Sequence, residues 1–225
     1  MDRRFSNRRE AGRELAKKLR HYAYHPEAMV LALPRGGVPV AYEIASELHL
    51  PLHVFVVRKL GVPGHEELAM GAVASGGTYF LNRPIVQQLG VSDRRIEAVL
   101  DDEKAEVERR EKEYGADHPL DLQDRTIILV DDGLATGSTM RAAVRALREK
   151  SPHKIVIAVP VAPLETFQEF ENEGEEMVVV LSPEIFFAVG EWYDDFEQVS
   201  DEEVREILRR AEKQHANSST KPVIF

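Results

Sequence analysis

Residues 125–150 contain a strand-length apolar run, a short loop and a helical pattern in direct succession. The run RTIILVDD (125–132) is rich in Ile, Leu and Val, and TMRAAVRALREK (139–150) repeats apolar residues at three- and four-residue spacing. A continuous apolar run of this length is typical of a buried strand, and the second spacing is typical of a helix. A strand that leads through a short loop into a helix restricts the chain to few architectures and favours an α/β fold.

The same alternation recurs along the chain. Further strand-length runs are MVLALP (29–34), HVFVVR (53–58), KIVIAVPV (154–161) and EMVVVLS (176–182), and further helical patterns are VPVAYEIASELHL (38–50) and LETFQEFENEG (164–174). Strands that are apolar nearly throughout are buried on both faces, as in a parallel sheet covered by helices. The predicted fold class is therefore α/β, with a mainly parallel sheet flanked by helices.

Two segments depart from this alternation. AMGAVASGGTYFLN (69–82) predicts a hairpin that turns at Gly76-Gly77, and a helical insertion is expected at about 84–115. The insertion contains a long, highly charged helix (91–115) with few apolar positions, so we expect this helix to be mostly solvated. It could also pack against a second subunit in a homodimer. We expect a single domain over residues 1–215, with a last helix that starts after Ser200, and a tail over residues 216–225.

Composition and charge exclude several classes of protein. Apolar residues make up 43% of the 225-residue chain and charged residues 30%, which is ordinary for a globular protein, and there are no cysteines for disulfides or thiolate chemistry. The charge-dense first twenty residues lack the apolar region of a secretory signal, and no apolar stretch approaches the roughly 18 residues that span a bilayer. We therefore expect a cytoplasmic protein without a membrane segment.

The net charge of −10 disfavours nucleic acid as a partner, because an acidic body repels a polyanion. Residues 1–20 are an exception, with eight basic and three acidic side chains. These basic residues, Arg8 among them, could contact phosphate, but a solvated helix face is the favoured interpretation.

The stretch GLATGST (133–139) connects the strand that ends at Asp131 and Asp132 to the following helix. In open α/β sheets, ligands bind at the carboxyl ends of strands, and a glycine-containing loop before a helix N-terminus suits a phosphate group. The carboxylates can accept hydrogen bonds from vicinal hydroxyls. Together these features favour a sugar phosphate. The loop lacks the lysine of a P-loop and the spacing of a dinucleotide fingerprint.

LVDDGLATGST resembles the motif that binds phosphoribosyl pyrophosphate (PRPP) in type I phosphoribosyltransferases. The resemblance implies that Asp131 and Asp132 hold the ribose 2′- and 3′-hydroxyls. It further implies a 5′-phosphate loop formed by Ala135, Thr136, Gly137, Ser138 and Thr139.

Two earlier segments extend the resemblance. LALPRGG (31–37) is similar to the family's pyrophosphate-binding loop, which implies that Arg35, Gly36 and Gly37 contact pyrophosphate. FVVRKLGVPGHEELAMG (55–71) resembles the mobile loop that closes over the site, with Arg58 and Lys59 as catalytic cations. For His65, Glu66 and Glu67, an exposed loop position without a role stays an open alternative. The combined motifs resemble a bacterial and archaeal group of predicted phosphoribosyltransferases over nearly the whole chain.

The implied reaction displaces pyrophosphate from C1 of the ribose by a nitrogen nucleophile, as in nucleotide metabolism and nucleoside salvage. Mg²⁺ is the implied cofactor, held mainly through the substrate, with Asp131 and Asp132 as candidate ligands. PRPP and a small-molecule acceptor are the implied partners. A second function stays open, that of a regulator that binds PRPP or a nucleotide and performs no transfer. A purely structural role would leave the aspartates and the three loops unexplained.

The residue at position 135, an alanine, gives an indication of the chemical class of the acceptor. Family members that use hypoxanthine or guanine usually have an aspartate at this position, so a 6-oxopurine is disfavoured. Candidate acceptor contacts lie in a C-terminal hood at about 183–200, where Trp192 and Tyr193 offer aromatic faces and Asp194 or Asp195 could accept from an amine. For Phe186, Phe187 and Phe196, closing the core beneath the last helix is the favoured interpretation.

Overall fold

The computed structural model describes residues 4–116 and 120–219, which form two compact units. The first unit draws on Met1–Val54, Gln123–Gly137 and Pro152–Phe225, and the second on Phe55–Leu122 and Ser138–Ser151. The helices are α1 (Arg8–Lys18), α2 (Gly37–Leu48), α3 (Arg83–Gln88), α4 (Asp93–Tyr114), α5 (Ser138–Arg148), α6 (Leu164–Asn172) and α7 (Asp201–Ser219). The strands are β1 (Ala28–Ala32), β2 (Leu52–Val54), β3 (Val57–Val62), β4 (His65–Ala74), β5 (Tyr79–Leu81), β6 (Thr126–Val130), β7 (Lys154–Val161) and β8 (Glu176–Leu181).

The first unit contains a five-stranded parallel sheet in the order β2-β1-β6-β7-β8. Every residue of β1 and β6 is buried. Helix α2 packs on β1, β2 and β6, and α1 packs on β7 and β8. The α/β fold with a mainly parallel sheet flanked by helices, which the apolar runs predict, is confirmed. Strands that are buried throughout need such a cover of helices.

Helix α2 shows how the spacing of apolar residues produces this packing. Its buried side chains include Val38, Ala41, Ile44, Ala45 and Leu48, which recur at three- and four-residue spacing and form one apolar stripe. The helix ends at His49, whose left-handed backbone (φ 56°) stops the hydrogen-bond ladder. The chain then enters β2 within three residues, which keeps α2 against the sheet.

The second unit contains an antiparallel sheet in the order β3-β4-β5, with α3, α4 and α5. The predicted hairpin is present: β4 and β5 pair across a turn at Ser75–Gly77, in which Gly76 and Gly77 both have φ of 73°. The predicted insertion consists of α3 and the 22-residue α4. The buried residues of α4 are Ile96, Leu100, Val107 and Tyr114, so the helix is solvated over most of its surface, as its charge predicts.

Two predicted elements differ in the structure. The run HVFVVR, expected to be one strand, is divided between β2 and β3, with buried Phe55 and Val56 linking them. A run that is apolar throughout has no periodicity to mark the change of sheet. The segment expected to be a mobile loop is a hairpin of β3 and β4, which turns at Pro63 and Gly64 (φ 85°). Its mobility stays a prediction.

Helix α7 begins where the capping pattern predicts, since the amide of Glu203 donates to Oγ of Ser200 at 3.1 Å. The helix continues through residues 216–219 of the expected tail, and residues 220–225 lie outside the described residues. The single domain over residues 1–215 stays a prediction. Within the described ranges, every helix is too short or too polar to span a bilayer.

Candidate functional site

Two loops of the first unit leave the sheet side by side. Strands β1 and β6 are parallel neighbours that end at the paired residues Ala32 and Val130, and the amide of Leu33 donates to the carbonyl of Val130 at 2.8 Å. The chain after β1 carries Arg35, Gly36 and Gly37, and the chain after β6 carries the two aspartates. The fold therefore brings together two of the segments that the sequence analysis assigns to one ligand.

The two glycines of the first loop lie against the second. A β-carbon on Gly36 would lie 2.0 Å from Oδ2 of Asp132, and one on Gly37 would lie 2.7 Å from the carbonyl oxygen of Val130. The peptide bond between Pro34 and Arg35 is cis. Glycine is required at both positions because the loops approach more closely than a side chain allows.

Asp131 and Asp132, the acidic pair, carry two carboxylates in adjacent positions. Oδ1 of Asp131 accepts from the amide of Asp132 at 2.8 Å, and the carbonyl of Asp132 accepts from the Tyr193 hydroxyl at 2.6 Å. Desolvation raises the pKa of both carboxyl groups, and the charge of Asp132 raises the pKa of Asp131 further. The Asp132 side chain retains 15% of its surface exposed, so a ligand can still reach it.

Arg8 is a contact of this pair that the sequence analysis missed. Its Nε donates to Oδ2 of Asp132 at 2.8 Å, and its side chain is only 11% exposed. The favoured interpretation of the basic N-terminus as a solvated face is wrong for this residue. The two residues lie 124 positions apart, and no local pattern in the sequence links them.

The loop after the acidic pair is held by the rest of the first unit. Gly133 lies close to Val189, because a β-carbon there would be 2.5 Å from a Val189 methyl carbon, and the carbonyl of Ala135 accepts from the Thr166 hydroxyl at 2.8 Å. Ala135 and Thr136 are exposed, and Gly137 has a left-handed backbone (φ 67°). The loop is therefore anchored at its base and accessible at its tip.

The remaining two residues of the predicted phosphate loop belong to the second unit. Ser138 and Thr139 form the first turn of α5, and both are exposed. The order of strand, loop and helix that the motif requires is present, and the positive end of the α5 dipole lies at these hydroxyls.

The hairpin of the second unit presents Arg58 and Lys59. Arg58 forms a two-point ion pair with Glu103 of α4, from Nε to Oε2 at 2.7 Å and from the second terminal nitrogen to Oε1 at 3.3 Å. Lys59 is exposed. Both cations line a cleft of about 630 Å³ together with Glu103 and Thr139. Glu66 and Asp102 also line this cleft, so its charged side chains do not sum to a positive charge, and an anion there would depend on Lys59 and the N-terminus of α5.

Other predicted residues have more ordinary surroundings. Arg35 lies 3.6 Å from Oδ2 of Asp201 and is about one-third exposed. His65 and Glu66 are exposed, and the surroundings of the Glu67 side chain lie outside the described residues. These positions agree with the exposed alternative for His65 and Glu66.

The predicted hood contains an aromatic cluster with two different environments. Tyr193 is buried, with its ring 5.5 Å from that of Phe5 and 4.9 Å from that of Phe196. Trp192 is half-buried and lies parallel to Phe186. Phe187 is 80% exposed, so the core role favoured for this side chain is wrong. Of the two predicted acceptor contacts, Trp192 is partly exposed and Tyr193 is buried.

A resident metal centre has little support in the part of the chain that the structure describes. No group of three or more His, Asp or Glu side chains there is arranged to hold a metal ion. The acidic pair offers two carboxylates, one of which is already bonded to Arg8. This donor set fits a cation such as Mg²⁺ only if substrate oxygens and water complete its coordination.

Comparison with known proteins finds one matching family model and several relatives of similar sequence. A family model described as "Phosphoribosyl transferase domain" matches residues 6–195. The "Putative phosphoribosyl transferase Rv0571c" of Mycobacterium tuberculosis is 41% identical over 216 residues, which is 95% of this chain and 48% of that protein. The chain thus spans about half the length of this relative. The "Bifunctional protein PyrR" of Deinococcus radiodurans is 32% identical over 143 residues, which is 58% of this chain and 74% of that protein.

A solved structure, that of TT1426 from Thermus thermophilus, has the same fold. It superposes with a TM-score of 0.79 and 37% identity, covering 92% of this chain and 98% of that one. The match over nearly the whole length supports the α/β architecture described above.

Proposed function

Because the chain belongs to the phosphoribosyl transferase family, we propose that it transfers the ribose 5-phosphate group of PRPP to a nitrogen acceptor and releases pyrophosphate. The observation that carries this proposal is the position of the acidic pair. Asp131 and Asp132 follow β6 directly, and Gly36 contacts Asp132 from the loop that follows the neighbouring β1. A ribose ring that carries a pyrophosphate on C1 needs carboxylates that accept hydrogen bonds from its hydroxyls. It also needs a neighbouring loop without side chains, which the glycines provide.

In the proposed reaction, the acceptor nitrogen forms a bond to C1 of the ribose as the bond from C1 to the pyrophosphate oxygen breaks. Pyrophosphate leaves with the bonding electrons, and the acceptor loses a proton. Positive charge develops on the ribose ring, close to the carboxylates that bind its hydroxyls. The carboxylates are already in place before the reaction, so they stabilise this positive charge without moving. This stabilisation lowers the activation free energy of the transfer.

Several side chains have proposed binding roles. Asp131 and Asp132 accept from the ribose hydroxyls, and residues 135–139 bind the 5′-phosphate through backbone amides and hydroxyls. Arg35, Gly36 and Gly37 bind pyrophosphate, and Arg58 and Lys59 neutralise its growing charge. The accessible tip of the loop and the exposed side chain of Lys59 support these assignments.

Mg²⁺ is the proposed cofactor, with Asp131 and Asp132 as its candidate protein ligands. When bound, it would neutralise phosphate charge and polarise the leaving group. Mg²⁺ keeps several waters and binds mainly through substrate phosphates, so two carboxylates would be enough protein ligands for it.

The acceptor is proposed to be a planar nitrogen compound other than a 6-oxopurine, with Trp192 as its stacking face. Ala135 has no carboxylate to offer an incoming base, and Trp192 is the accessible aromatic of the two predicted contacts. A cytoplasmic location and a homodimer are part of the same proposal.

A second candidate function is a regulator that binds PRPP or a nucleotide and performs no transfer. The observation that favours it is the ion pair of Arg58 with Glu103, which occupies a cation that the enzyme would need for pyrophosphate. The transferase and the regulator differ in one measurable product, because only the transferase releases pyrophosphate.

The decisive experiment is incubation of the protein with PRPP, Mg²⁺ and a panel of heterocyclic bases and amine metabolites, with pyrophosphate release as the readout. Release that depends on one acceptor supports the transferase. PRPP binding in calorimetry without release on any acceptor favours the regulator. Absence of PRPP binding contradicts the transferase and leaves only the regulator that binds a nucleotide.

A further inference from the structure

Arg8 joins three parts of the first unit through one side chain. Its Nε donates to Asp132, its terminal nitrogen donates to the carbonyl of Glu197 at 2.8 Å, and its guanidinium lies 3.8 Å from the centre of the Phe196 ring. The guanidinium group is planar and has donors in fixed directions, so it can make all three contacts at once.

The low exposure of Arg8 separates it from the other N-terminal cations. Its side chain is 11% exposed, whereas those of Arg13 and Arg20 are 54% and 67% exposed in their own ion pairs. Ion pairs at exposed positions contribute little, but a charge-assisted hydrogen bond out of water is short and directional. Arg8 therefore fixes the orientation of the Asp132 carboxylate.

The backbone beside Arg8 ties the N-terminus to the hood. The amide of Phe5 donates to the carbonyl of Trp192 at 2.9 Å, and the carbonyl of Phe5 accepts from the amide of Asp194 at 2.8 Å. The carbonyl of Ser6 accepts from the amide of Asp195 at 3.1 Å. The segment before α1 is thus bound to the hood by three backbone hydrogen bonds, and Arg8 is the first residue of the helix that follows it.

We propose that Arg8 is a positioning residue that holds the Asp132 carboxylate for the ribose hydroxyls and couples the hood to the ribose-binding pair. This proposal rests on the proposed function. An ionised carboxylate has about four acceptor positions, of which Arg8 takes one, so ribose binding and the Arg8 contact are compatible. Arg8 itself does not touch the reacting atoms.

The first test compares the PRPP affinity, in the presence of Mg²⁺, of Arg8→Gln, Arg8→Lys and Arg9→Gln. Arg9 is the matched control, because it loses the same charge from the same helix but is exposed. Loss of one charge-assisted hydrogen bond should weaken PRPP binding by about tenfold or more in Arg8→Gln. Arg8→Lys should recover part of that loss, since lysine keeps the charge but lacks the guanidinium fork. An Arg8→Gln affinity equal to that of Arg9→Gln would overturn the proposal.

The second test needs no ligand. Hydrogen exchange of the amides at 193–199 should be faster in Arg8→Gln and in Asp132→Asn, with no further increase in the double variant, and Arg9→Gln should match wild type. Additive increases would mean that Arg8 supports the hood without Asp132 and would contradict the coupling. If wild type binds no PRPP, the proposed function fails, and this exchange comparison alone decides the role of Arg8.

Discussion

Gly36 and Asp132 approach so closely that a β-carbon on the glycine would lie 2.0 Å from the carboxylate oxygen that bonds to Arg8. The backbone of Gly36 has ordinary helical angles (φ −60°, ψ −33°), so any residue could adopt its conformation. The requirement for glycine therefore comes from the neighbouring loop. The pyrophosphate and ribose segments of the proposed site depend on each other through this contact.

Replacing Gly36 by alanine should displace the Asp132 side chain. We expect PRPP affinity to fall at least tenfold, while the free energy of unfolding decreases by about 1–3 kcal/mol, the usual cost of an added methyl in a packed site. Calorimetry and urea denaturation of the same variant measure the two effects. Wild-type affinity in Gly36→Ala would mean that Asp132 can move without loss of binding.

Replacing both aspartates by asparagine, Asp131→Asn with Asp132→Asn, should abolish PRPP binding in a folded protein. Two charged acceptors at roughly 1.5 to 3 kcal/mol each correspond to at least a hundredfold loss of affinity. Circular dichroism confirms folding, and calorimetry gives the affinity. Unchanged affinity in the folded double variant would exclude the acidic pair from the ligand site.

The partial burial of Asp131 beside Asp132 predicts a dependence of stability on pH. Desolvation and the charge of Asp132 raise the folded-state pKa of Asp131 above its value in the unfolded chain, so the folded protein keeps this proton over a range in which the unfolded chain loses it. The resulting stabilisation is complete below the unfolded pKa and is lost as pH rises through the raised folded pKa.

The Asp131→Asn variant isolates this contribution, since asparagine does not titrate. The stability of Asp131→Asn relative to wild type should increase as pH rises from about 4 to about 8. Urea denaturation at several pH values gives this difference. A difference that is constant with pH would show that Asp131 has the same pKa in both states.

Releasing Arg58 from Glu103 should strengthen pyrophosphate binding. The ion pair is partly exposed, with 36% and 23% of the two side chains accessible, so its loss in Glu103→Gln should cost no more than about 1 kcal/mol of stability. We expect PRPP affinity to rise severalfold. Asp102→Asn is the control, because Asp102 lines the same cleft without bonding to Arg58. A loss of affinity in Glu103→Gln would instead show that Glu103 holds Arg58 in its binding position.

Trp192→Ala should weaken acceptor binding while leaving PRPP affinity nearly unchanged. Stacking of a planar base on an aromatic ring contributes roughly 1 to 3 kcal/mol. Trp192 is the only tryptophan, so quenching of wild-type fluorescence by the acceptor provides an independent signal. Equal loss of both affinities would assign Trp192 a structural role, and no loss of either would place the acceptor elsewhere.

The sequence predicts the sheet and the acidic pair because both are recorded in local patterns. Strands β6 and β7 are continuous apolar runs, and Asp131 and Asp132 stand directly before a glycine-containing loop and a helix. The contacts that Arg8 and Tyr193 make with Asp132 could not be predicted in this way. These contacts span 124 and 61 positions, and local sequence spacing does not record contacts over such separations.

The division of HVFVVR between two sheets was also beyond local reasoning. Phe55 and Val56 are buried, as they would be inside a strand, so hydrophobicity does not distinguish a strand from a buried link between strands. Only the pairing partners of β2 and β3 reveal the change, and strand pairing is a long-range property.

The pairing of Ala32 with Val130 has a consequence for how such a chain can diversify. The loops proposed to bind pyrophosphate and ribose begin from a single rung of the sheet, at Ala32 and Val130, which lie far apart in sequence. Their spacing is set by the ladder of β1 and β6, so the segment Phe55–Leu122 of the second unit, which lies between them in sequence, does not determine it. Descendants of one ancestor could therefore carry other segments in place of the charged helix while the two loops proposed to bind pyrophosphate and ribose are inherited unaltered.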